Sequence, residues 1–84
     1  MTTMDSIESE TIESLPYAVV IAPEEQPGGE IVFMATHPEL PGCMGHGITV
    51  HEAVEDLGEA RRLYIGSLID RGIDVPRPNI RRAG

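Results

Sequence analysis

Apolar residues change their period along the chain, and the changes mark out elements. LPYAVVIA, residues 15–22, and EIVFMAT, residues 30–36, are short runs rich in Val, Ile and aromatic residues, which predicts two strands. EEQPGG, residues 24–29, lies between them and supplies turn residues, so the runs should pair as a hairpin. His37 precedes Pro38 and is biased toward extended backbone. Pro41-Gly42 fits the central pair of a type II turn, and Leu40 between the two prolines is expected to point inward. Gly42 to Gly47 then reads as a short third strand in which Gly45 and Gly47 permit tight curvature or a bulge.

From Thr49 the period becomes helical. Val50, Ala53, Val54, Leu57, Ala60, Tyr64, Ile65 and Leu68 recur at three- and four-residue steps, giving one apolar stripe. Thr49-Val50-His51-Glu52 matches a capping box, with the threonine oxygen accepting from the Glu52 amide and Glu52 reaching back to the Thr49 amide. Arg71-Gly72 supplies a terminal cation and a stop. Ile73 and Val75 predict a last edge strand, limited by Pro76 and Pro78. The expected order is β-β-β-α-β, an α+β domain with one helix on one face of a small sheet.

That architecture leaves apolar surface unaccounted for. Val20, Val32 and Met34 should face away from Val19, Ile21 and Phe33, and one helix covers one face. A chain of 84 residues rarely leaves an apolar second face wet, so the N-terminal arm, a different protein or a second copy should cover it, with self-association as a dimer or tetramer the preferred reading. Organisation follows composition. Residues 1–14 read as a mobile acidic arm that docks through Ile7, Ile12 or Leu15, residues 15–78 as the domain, and residues 79–84 as a basic tail.

Charge narrows the function classes. The formal net charge is -8 and no lysine is present. General nucleic-acid binding needs a cationic surface, so no direct nucleic-acid contact is expected; acidity of this size ordinarily serves solubility, with the matching of a cationic partner as the alternative. The acidic N-terminus is the reverse of a secretory signal, and no apolar run approaches the ~20 residues of a membrane span. A single cysteine, Cys43, fits a reducing compartment. The expectation is a cytoplasmic protein without a membrane segment.

Catalytic chemistry finds little support. His37, Cys43, His46 and His51 lie close in sequence, but their spacing matches no zinc framework. Cys43 lacks a recognisable orienting acid for nucleophilic catalysis. The carboxylates fall in turns, on the arm and on the outer helix face, not on the first strand where a metal-dependent nuclease would need them. The expectation is a non-enzyme with no cofactor, no metal and no catalytic residue.

PYAVVIAP, PELPGCMGHGIT, HEAVEDLGEA and GIDVPRP, in this order and spacing across residues 15–78, resemble the HicB-like antitoxins. The motif comprises Pro38, Leu40, Pro41, Gly42, Cys43, Gly47, Thr49 and Glu52. The resemblance implies a truncated ribonuclease-H-like β-β-β-α-β domain without nuclease carboxylates, assembled as dimers or higher oligomers. Its implied partner is a HicA-like toxin, a small basic ribonuclease that cleaves messenger RNA. Full-length members often add a C-terminal DNA-binding domain, and RPNIRR is too short to replace one. Ile48 stands where the family usually carries a polar residue.

Two functions follow as expectations. One is an antitoxin that sequesters a cationic toxin, which opposite charge would draw in rapidly. The other is a stand-alone oligomeric domain that acts as a scaffold or binds another protein. Glu24, Glu25, Glu30 and Glu39, around the strand ends, are the carboxylates expected to face a cationic partner.

Overall fold

The computed structural model describes residues 11–80. Three strands, β1 (Val20–Glu25), β2 (Ile31–Thr36) and β3 (Met44–Gly47), form one antiparallel sheet in the order β1-β2-β3. A single long helix, α1 (Val50–Asp70), follows. The class is α+β, as the change of period predicts. Of the two terminal segments expected from composition, residues 1–10 and 81–84 lie outside the described residues. Thr11 to Glu13 are helical, and Ile12 and Leu15 join the core.

The β1–β2 hairpin closes where its breakers stand. Gly29 donates to the Gln26 carbonyl at 2.8 Å and Gln26 donates to the Glu30 carbonyl at 2.7 Å, the bond pattern of a type I turn followed by a glycine bulge. The pairing runs from Glu25↔Ile31 to Val20↔Thr36. Because the two members of an antiparallel ladder alternate in bonding, the Gln26–Glu30 bond sets the phase. Residues 20, 22 and 24 bond inward to β2, and residues 21, 23 and 25 turn their backbone groups outward. Pro23 therefore occupies a position where a missing N–H costs no ladder bond.

The first strand begins five residues later than the sequence predicts and runs three residues further. Continuing the same register would place Ala18 opposite Pro38, which has no amide to donate. Side chains replace the ladder there. The Ala18 amide donates to Glu39 Oε2 at 3.3 Å, and the Ala18 carbonyl lies 2.7 Å from His37 Nδ1. Pro38 ends β2 as a pairing partner, and its two neighbours take over the task.

Two consecutive turns carry the chain from β2 to β3. Leu40 donates to His37 and Cys43 donates to Leu40, each at 3.0 Å. Both prolines fall at the second position of their turn, where a preset φ helps. Gly42 has φ +86°, as the expected type II turn requires. Leu40 is fully buried, and Cys43 is nearly so.

Gly45 and Gly47 do not create a bulge. They pair in unbroken register with Ala35 and Phe33, and their missing side chains admit the helix. A Cβ on Gly45 would lie 2.7 Å from the Leu57 Cα and 2.8 Å from the Ala53 carbonyl oxygen. One on Gly47 would meet the Ala53 amide at 2.5 Å. The helix thus rests backbone on backbone against β3, and Ala53, Leu57 and Ile65 of α1 are wholly buried.

Thr49 caps α1 as expected: its side-chain oxygen accepts from the Glu52 amide at 3.1 Å. Glu52, however, reaches past Thr49 and accepts from the Ile48 amide at 3.1 Å. The C-terminus closes with Ile73 donating to Leu68 at 2.9 Å and Gly72 to Ile69 at 3.1 Å, a Schellman pair.

The expected fourth strand does not form. Residues 73–80 carry no strand, and their proline content removes donors that a ladder needs. They are held instead by Tyr17, whose hydroxyl donates to the Pro76 carbonyl at 2.5 Å, and by Glu39 Oε2, which accepts from the Asn79 amide at 3.2 Å.

The apolar second face expected from the sequence is present. Register places Val20, Ala22 and Glu24 beside Val32, Met34 and Thr36, and these beside Met44 and His46, on the side away from α1. Among the described residues no element covers it, and Val20 and Met44 are 49% and 44% exposed.

Candidate functional site

The four glutamates singled out from the sequence do not come together. Glu24 and Glu25 end β1, and Glu30 follows the turn, so three exposed carboxylates share the hairpin tip. Glu39 lies past the other end of β2 and is half-buried. Its Oε2 ties Ala18 to Asn79, while Oε1 is buried without a hydrogen-bond partner among the described residues. Chiefly its own amide, then those of Asn79 and Ala18, hold the Glu39 carboxyl below the usual carboxylate range against the opposing effect of burial. Glu39 therefore serves the fold, and of the four only Glu24, Glu25 and Glu30 are exposed.

Around Glu39 sits a polar cluster that hydrophobic patterning did not reveal. His37 is 2% exposed. Its Nδ1 faces the Ala18 carbonyl and must donate, since a carbonyl only accepts. Its Nε2 is 3.0 Å from Arg61 Nη1 and so accepts. Both contacts are satisfied by the neutral Nδ1–H tautomer. The Tyr17 ring lies 5.6 Å from the His37 ring, tilted by 51°.

Burial pushes the Tyr17 hydroxyl and the Cys43 thiol up in pKa, with the Arg61 guanidinium opposing in both cases and Arg77 opposing at Tyr17. Burial thus favours the protonated form of the Cys43 thiol. Arg61 could have been found by its spacing: it follows Leu57 by four residues and precedes Ile65 by four, a cation inside the apolar stripe. Tyr64 fastens the same helix to the corner by donating to the Pro41 carbonyl at 2.9 Å.

These contacts explain the PELPGC motif in structural terms. Pro38 interrupts the ladder, Glu39 bridges two chain segments, Leu40 fills the core, Pro41-Gly42 makes the turn, and Cys43 packs beneath it. His46 and His51 lie exposed on different elements, and His51 meets Glu55 at 3.3 Å on the helix surface. Among the described residues no three His, Cys, Asp or Glu side chains converge to hold a metal, and no helix is long and apolar enough to cross a membrane.

The two sheet edges differ. On β3 the outward amides of His46 and Ile48 are taken by α1 side chains: His46 donates to Asp56 Oδ2 at 2.9 Å, and Ile48 to Glu52 Oε1. This leaves that edge fewer free donors for further pairing. On β1 the outward amides of Ile21 and Glu25 have no hydrogen-bond partner among the described residues.

Comparison with known proteins agrees with the motif. A UPF0150 protein of Thermoplasma acidophilum is 35% identical over 65 residues, 77% of this chain and 88% of its own. A UPF0150 protein of Synechocystis sp. is 38% identical over 61 residues, 73% of each chain. No solved structure matches the chain significantly. The family described as HicB-like antitoxins of bacterial toxin-antitoxin systems matches residues 17–82. With its turn motif, capped helix and glycine-floored sheet inside that span, this chain belongs to the HicB-like antitoxin family.

Proposed function

We propose that this protein is an antitoxin that binds a small basic RNA-cleaving toxin of the HicA type and masks its cationic surface. The family match over residues 17–82 carries the reading. Charge supports it: a chain of net charge -8, with Glu24, Glu25 and Glu30 exposed at one tip, complements a surface built to bind phosphates. The protein acts by stoichiometric occupation and performs no catalysis. Its β-β-β-α order is read as a truncated ribonuclease-H-like unit, and its place of action as the cytoplasm, where messenger RNA is cleaved.

Self-association belongs to the same reading. The uncovered face of Val20, Ala22, Val32, Met34 and Met44 is largely apolar, with Glu24 and Glu30 at its hairpin end. Two acidic chains meet there over surface that carries little charge. That face also favours a second function, a stand-alone oligomeric scaffold with no toxin.

Co-expression with the neighbouring open reading frame, a pull-down and an RNA-cleavage assay separate the two. Retention of a basic protein whose cleavage of RNA stops in the complex supports the antitoxin. An oligomer that retains nothing and inhibits nothing supports the scaffold.

A further inference from the structure

We infer that the open edge of β1 pairs with an extended cationic segment of the partner, adding a strand to the sheet. This deepens the antitoxin reading and rests on it for the partner's charge. Three observations converge. The outward backbone groups of Ile21 and Glu25 are unpaired among the described residues. On the opposite edge the outward amides of His46 and Ile48 are already taken by Asp56 and Glu52, so β1 is the more open side for strand addition. Glu24, Glu25 and Glu30 are exposed around the open edge.

Charge selects the occupant. A second copy paired along β1 would set one acidic strand beside another, four carboxylates on adjoining strands, and like charge of this kind helps exposed edges resist self-pairing. The same carboxylates attract lysine or arginine side chains flanking an incoming strand. Pro23 offers a carbonyl and no donor between Ile21 and Glu25, which disfavours a continuous, uncharged ladder and leaves two well-separated donors to fix register.

The probe is a blocked peptide of alternating threonine and lysine, titrated into the full chain and followed by amide NMR and hydrogen exchange. Strand addition predicts that the Ile21 and Glu25 amides shift downfield and gain exchange protection. Methylating the pairing amides of the peptide should weaken binding about tenfold, as loss of one or two hydrogen bonds implies. E25Q should weaken binding and flatten its salt dependence while leaving Ile21 protected.

Absence of binding overturns the inference. So does binding that perturbs the acidic surface without protecting the two amides. Protection of both amides in the free protein that rises with its concentration assigns the edge to a second copy and also overturns it. A toxin inhibited in a complex whose Ile21 and Glu25 amides stay unprotected sinks strand addition alone. Peptide pairing by a chain that inhibits no toxin sinks the antitoxin reading alone.

Discussion

Gly45 and Leu57 meet backbone to backbone: a methyl group on the glycine would overlap the Leu57 amide and sit 2.7 Å from its Cα. This contact sets the distance between helix and sheet. Replacing Gly45 by alanine must push α1 away or bend β3, because the obstructing atoms are main chain. Overpacking of this kind costs about 1–3 kcal/mol. Chemical denaturation of G45A should show a loss in that range or larger, and an unchanged midpoint would remove the close approach.

The helix start offers a separable test. Thr49→Ala removes the oxygen that receives the Glu52 amide and should cost about 0.5–2 kcal/mol. Glu52→Ala also frees the outward Ile48 amide on the β3 edge. Greater self-pairing of E52A than of T49A, seen by light scattering, is therefore expected. Equal behaviour of the two variants would show that the Ile48 contact guards nothing.

Arg61→Leu tests the buried polar cluster. Loss of the guanidinium leaves His37 Nε2 as a buried acceptor without its donor, a defect of about 1–3 kcal/mol. Nitrogen chemical shifts of His37 in the wild-type protein should report the Nδ1–H tautomer. Observation of the Nε2–H tautomer would contradict the hydrogen-bond assignment to Ala18 and Arg61.

Much of this fold is legible in the residues because local rules and tertiary packing agree. The 30–36 strand, the Pro41-Gly42 turn, buried Leu40 and the Thr49 cap each follow from one short stretch. Where they fail, a long-range partner intervenes. The start of β1 depends on Pro38, distant in sequence but opposite Ala18 in register, which composition around residues 15–20 does not encode. Gly45 and Gly47 looked like bulge formers because the sequence shows the missing side chain but not the helix that uses the space.

Ile73 and Val75 have strand-like side chains, yet Pro76 and Pro78 prevail. Glu39 resembles Glu24, Glu25 and Glu30 in the sequence by its place near a strand end. Only the fold reveals that it faces Ala18 and Asn79.

Acid should loosen the segment that Glu39 ties down. Its folded-state pKa is lowered, so its contribution is present above the ordinary carboxylate range and lost as pH falls through the folded value. Glu39→Gln should show a shallower decline in stability on acidification than wild type, with the Ala18 and Asn79 amides already exchanging faster. An identical acid profile would mean the carboxylate contributes nothing to holding the tail.

Alkaline conditions act through Cys43 and Tyr17 with the opposite sign. Both pKa values are raised by burial, so the protonated groups stabilise below the unfolded values of about 8.5 and 10. That stability is lost as pH rises through the folded values. Cys43→Ala should remove the thiol's share of the alkaline decline, measured by denaturation as pH is raised. A wild-type profile in C43A would exclude the thiol from it.

Binding to a basic RNA-cleaving protein tests the central claim most directly. Purified chain should be titrated against the protein from the adjoining reading frame while RNA cleavage is followed. The account predicts that cleavage ends at a fixed stoichiometric ratio and that E24K and E25K together weaken inhibition. Undiminished cleavage with the chain in excess would contradict it.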